Sequence, residues 1–112
     1  MNKQVYNTLK YLGVPPNVKG YNYLSDALTY MLDSSVPYGS FCNGLYVHIA
    51  HKYGVSNYKA VERCLRYIIS YVLAHTDYEI LFQVFGNSLS QGDTKMPVSL
   101  FLSLVAEHIK HS

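Results

Sequence analysis

The chain has 112 residues, of which 49% are apolar and only 14% charged; this excludes a disordered tail and fits one buried core of ordinary domain size. Its formal net charge of +2 is too small to announce a nucleic-acid partner by itself, so such an argument must rest on where the charges sit. No apolar run approaches the roughly 18 residues of a membrane span. The N-terminus carries no secretory pattern, and two cysteines, Cys42 and Cys64, stand without CxxC spacing, so a cytoplasmic protein with reduced thiols is expected.

The first predicted helix runs from Asn2 to Leu12, with Val5, Leu9 and Leu12 at helical spacing, and Gly13, Pro15 and Pro16 stop it. A second is expected from Tyr21 to Asp33. Its Leu24, Ala27, Leu28, Met31 and Leu32 repeat as one buried face, and the stretch SSVPYGS ends it. Asn43 can cap a third helix from Gly44 to Tyr53 that buries Leu45, Ile49 and, at its end, Tyr53, with Gly54 as its left-handed C-terminal residue.

Ser56 or Asn57 can cap a long fourth helix, taken from Ser56 to His75. Its Val61, Cys64, Leu65, Ile68, Ile69, Val72 and Leu73 form a continuous apolar stripe, with Cys64 read as a small buried hydrophobe. A fifth helix spans Asp77 to Phe85, and after the loose stretch GNSLSQGD, Pro97 suits the first turn of a sixth with Val98, Phe101, Leu102, Val105 and Ile109 inward. No segment alternates with the period of a strand. The expected class is all-α: a compact six-helix domain, residues 1–112, containing a helix-turn-helix.

That motif would be helices three and four, a short helix and a longer one joined by a tight turn at Gly54, Val55 and Ser56. Opposite its apolar stripe the fourth helix carries Lys59, Arg63, Arg66 and Ser70 at i, i+4, i+7 and i+11, with Glu62 and Tyr67 beside them. Arg can bond guanine bidentately and Glu can accept from the cytosine amine, so Glu62, Arg63 and Arg66 are candidate base readers. A plain solvated Glu62–Arg66 pair explains the same spacing about as well. Lys59, Tyr67, Ser56, Asn57, Lys19 in the KGY loop and Lys95 before Pro97 are candidates for backbone contacts.

Other signals are weaker. His48 and His51, with Cys42, are too loosely spaced for a convincing metal site, and His108 and His111 are no better. The carboxylates are scattered without an acid/base pair, and no phosphate-binding glycine loop is present. Neither an enzyme nor a cofactor, a metal, a membrane or a small-molecule substrate is expected.

Taken in order, GVPPNVKGYNYLSDAL, LYVHIAHKYGVS, AVERCLRYII, FGNSLS and KMPVSLFLSLVAEHI resemble the C-terminal DNA-binding domain of the stage-zero sporulation response regulator of endospore-forming bacteria. The resemblance covers Gly13 to Ile109. It implies a six-helix domain that binds tandem boxes of double-stranded DNA as a homodimer, and it puts the family's base-reading positions on Glu62, Arg63 and Arg66. Two positions depart: Ala60 stands where the family has Arg, with Lys59 as the candidate replacement, and Tyr67 stands where it has His. A chain of this length leaves no room for the family's phosphoacceptor domain, so control through phosphorylation in cis is not expected.

The sequence therefore favours a bacterial transcriptional regulator that reads the major groove. Two alternatives stay open: an accessory factor for excision or recombination of a mobile element, and an interaction module that has lost DNA binding and pairs with a full-length family member.

Overall fold

The computed structural model describes residues 3–16, 18–33 and 44–111. Among them the chain forms six α-helices: α1 (Lys3–Tyr11), α2 (Lys19–Asp33), α3 (Tyr46–Lys52), α4 (Tyr58–His75), α5 (Tyr78–Phe85) and α6 (Val98–Lys110), with a short 3-10 turn at Gly86–Ser88. No strand occurs among the described residues. The class is all-α, as the periodicity predicts.

All six helices supply side chains to one core, in which Leu9, Leu24, Leu28, Ile49, Leu65, Phe101 and Leu102 are fully buried. The α4 helix is its central member, packed against α2, α3 and α6. Its apolar stripe faces inward at Val61, Leu65, Ile68, Ile69, Val72 and Leu73. That arrangement follows from the 3.6-residue period, which puts these positions on one side and Lys59, Arg63, Arg66 and Tyr67 on the other.

Several local expectations are corrected. Of the two cap candidates, Asn57 is the one used: in extended conformation it accepts a 2.9 Å hydrogen bond from the Lys59 amide through Oδ1, so the fourth helix begins at Tyr58 and not at Ser56. Ser56 belongs to the preceding turn. The second helix starts at Lys19, two residues early, so Lys19 and Gly20 are helical and not part of a loop.

The third helix is shorter than expected. Gly44 and Leu45 form a looser turn ahead of it, and its cap candidate Asn43 lies outside the described residues, as does Cys42. Tyr53 is 40% exposed instead of buried, because its hydroxyl donates a hydrogen bond to the carboxylate of Asp26. Cys64 is half-buried at the edge of the stripe. Pro97 occupies the N-cap position of α6, one residue before its first turn.

Candidate nucleic-acid interface

A short helix, a turn and a long helix meet at Gly54. The last turn of α3 closes with bonds from the Gly54 amide to the His51 carbonyl (3.3 Å) and from the Val55 amide to the Ala50 carbonyl (2.8 Å). These bonds require the left-handed backbone that Gly54 adopts at φ 67°, a conformation that costs glycine little. The chain then reverses into the Asn57 cap, and α3, with Tyr46, Ile49 and Ala50 buried, packs on α4. The order, lengths and packing are consistent with a helix-turn-helix.

A clamp at the edge of the core holds this turn to α2. Asp26 accepts from Lys52 Nζ at 3.1 Å and from the Tyr53 hydroxyl, while the Tyr53 ring meets the edge of Tyr23 at 5.3 Å between centroids. Partial burial, and then the hydrogen bond and charge of Asp26, push the Tyr53 phenol up to about 12. The neutral phenol is the form the clamp uses.

The outer edge of α4 stays open to solvent. Lys59, Arg63, Arg66 and Tyr67 are all exposed, Tyr67 at 69%. Glu62 is half-buried and reaches Arg66 at 3.5 Å, a long contact at the limit of a useful ion pair. Ser56 and Asn57 are exposed at the N-terminal end of the same edge.

Two depressions flank this edge. On one side an open cleft of about 680 Å³ lies between α4 and the start of α6, lined by Tyr46, Glu62, Arg66, Ser70, Lys95 and Pro97 among others. On the other side a smaller groove of about 340 Å³ separates α4 from the first turn of α2, lined by Val18, Lys19, Gly20, Arg63, Cys64, Tyr67 and Ile68. The fold thus brings Lys19 beside Arg63 and Tyr67, and Lys95 beside Glu62 and Arg66. Ion pairs among the described residues are Lys52–Asp26, Arg66–Glu62 and His111–Glu107, leaving Lys19, Lys59, Arg63 and Lys95 without a carboxylate partner there.

Residues 5–109 match the family model of the C-terminal domain of sporulation initiation factor Spo0A. The chain belongs to this family. Spo0A C-terminal domains are DNA-binding effector domains of the sporulation regulator and act in transcription regulation. The family is one of DNA-binding domains and not of enzymes.

Within that Spo0A-type frame, sequence reading missed the Asp26 clamp on Lys52 and Tyr53 and a second structural contributor, Gly20. A Cβ at Gly20 would lie 3.1 Å from the Ile68 side chain and 3.2 Å from the Cys64 carbonyl oxygen, so the absent side chain is what lets α2 cross α4 so closely. The only sequence signal for it was the glycine itself, which reads equally well as a loop residue. Among the histidines, the His48 ring lies tilted against Tyr30 at 5.0 Å and His111 pairs with Glu107 at 2.9 Å; no group of three metal-ligating side chains occurs among the described residues, which do not include Cys42. No helix among them is long and apolar enough to cross a membrane.

Proposed function

We propose that the chain is a sequence-specific transcriptional regulator acting as one helix-turn-helix unit, with α4 entering the major groove of duplex DNA. Glu62, Arg63 and Arg66 read base edges, and Lys59, Tyr67, Ser56, Asn57, Lys19 and Lys95 make or frame backbone contacts. The observation that carries this reading is the outer edge of α4. It is uncovered, it presents guanidinium and carboxylate groups in the types that base edges require, and it is bracketed by Lys19 at the start of α2 and Lys95 in the loop before α6. At roughly 1.5 Å per residue, an 18-residue helix has ample length to follow a groove.

Family membership supports DNA as the partner and bacterial cytoplasm as the compartment. Tandem sites and a homodimer extend the reading to how two copies would share DNA. The interaction-module alternative draws on Ala60 and on the small net charge, which weaken the electrostatic share of binding.

Selection of bound duplexes from a random pool, followed by mobility shift over a salt series, tests the proposal. Enrichment of one motif, with affinity falling linearly in log salt, is the expected result. Retention of no motif and no salt-dependent binding would leave only the interaction module.

A further inference from the structure

The two depressions beside α4 differ in charge. The α6-side cleft contains a carboxylate, Glu62, next to Arg66 and Lys95. The α2-side groove contains Lys19 and Arg63 and no acidic residue. Its floor is apolar, formed where Gly20 meets Ile68 and the backbone at Cys64, and the exposed ring of Tyr67 forms one wall. A phosphodiester chain has the complementary character, anionic oxygens along one edge and an apolar sugar face along the other.

We infer that the α2-side groove seats the sugar–phosphate backbone of one DNA strand. Lys19 neutralises a phosphate at the rim, and the Tyr67 ring and the Ile68 floor pack against deoxyribose. The opposite cleft does not seat a strand in this way: Lys95 can meet a phosphate at its rim, but the Glu62 carboxylate would repel one drawn deeper toward Arg66. The groove is continuous with the exposed edge of α4, so a helix lying in the major groove would bring a strand along it. Gly20 sets its width by letting the first turn of α2, with Lys19, settle against α4. This inference rests on the proposed DNA-binding reading and adds which flank grips the strand.

The test uses the full chain and random-sequence duplex DNA, since a backbone grip needs no particular bases. Cys64 lines the groove and is half-buried, which makes it a reporter: its alkylation by N-ethylmaleimide, followed by peptide mass spectrometry to separate it from Cys42, should slow severalfold when duplex is added. Lys19→Ala, an exposed change expected to leave the fold intact, should lower the slope of log K against log salt by about 0.9, the loss of one phosphate contact. It should also leave the ratio of selected to random affinity unchanged. Lys19→Arg should restore the slope.

An unchanged salt slope in Lys19→Ala overturns the inference, as does Cys64 labelling that DNA leaves untouched. No labelling in the free protein also overturns it, because a groove closed to a small reagent cannot seat a strand. Protection by raised protein concentration without DNA would assign the groove to a second copy instead. If Arg63→Ala still abolishes discrimination while Lys19→Ala changes nothing, the strand grip fails and base reading by α4 stands. If no duplex binds at all, both fall together.

Discussion

The two flanks of α4 are built from the same helix yet offer different chemistry. Toward α6, Glu62 and Arg66 sit 3.5 Å apart with Lys95 across an open cleft; acid and base together suit recognition of a donor and an acceptor. Toward α2, Lys19, Arg63 and Tyr67 surround an apolar floor without a carboxylate, which suits a uniform anionic backbone. The lesson is that one amphipathic helix specifies only its own edge. The character of each flank is set by whichever neighbour the core brings alongside.

The largest expected effect removes the platform that aligns both flanks. Leu65 is fully buried on the inner face of α4, and Leu65→Ala should cost about 2–5 kcal/mol in chemical denaturation through lost burial and the cavity left behind. Both flanks should then weaken together, and an effect confined to one of them would break the comparison.

Next comes Arg63, which lies at the centre of the exposed edge. On the proposed reading Arg63→Ala costs about 1–3 kcal/mol on the preferred duplex and relaxes discrimination there, measured by fluorescence anisotropy. Lys95→Ala should instead weaken selected and random duplexes alike. Equal losses on both duplexes for Arg63→Ala would move that residue from base reading to backbone contact and sharpen the division between flanks.

A change at the shared start of α4 should be smaller and common to both sides. Replacing the Asn57 cap by Ala should destabilise the protein by about 1 kcal/mol in thermal or denaturant unfolding, since the Lys59 amide loses its acceptor. Binding should fall only as far as the first turn frays.

The smallest effect concerns the clamp behind the turn. Tyr53→Phe removes one partly exposed hydrogen bond to Asp26, worth about 0.5–1.5 kcal/mol at neutral pH. Because the folded phenol is held up at about 12 against an ordinary 10, its stabilising contribution is complete below pH 10 and is lost as pH rises through 12. The parent should lose stability over that window more steeply than Tyr53→Phe, as denaturation midpoints taken from pH 9 upward would reveal.

How much of this was legible in the sequence follows from the range of the interactions. The inner face of α4 was readable except at Cys64, which sits half-buried at its edge, because the period of Val61, Leu65, Ile68 and Val72 is a property of the helix alone. The outer edge of Lys59, Arg63, Arg66 and Tyr67 came with it, by elimination on the same helix.

What could not be read was nonlocal. Gly20 resembles a helix breaker until Ile68 is known to lie against it. Tyr53 continues the apolar spacing of α3 but turns outward because Asp26, 27 residues away in sequence, accepts its hydroxyl. Lys19 and Lys95 were singled out only as basic residues at element boundaries; that they flank opposite sides of α4 is a consequence of how α2 and α6 pack on it. The start of α4 was displaced because Ser56 and Asn57 are both good caps in composition, and only backbone geometry chooses between them.

The central claim is that the outer edge of α4 is the surface that meets duplex DNA. Amide chemical-shift changes during titration of the labelled protein with a selected duplex test it most directly. The largest changes are expected along residues 56–70, with a second group at 18–20. Changes concentrated on α1 and α5, with the amides of Glu62, Arg63 and Arg66 unmoved, would contradict it.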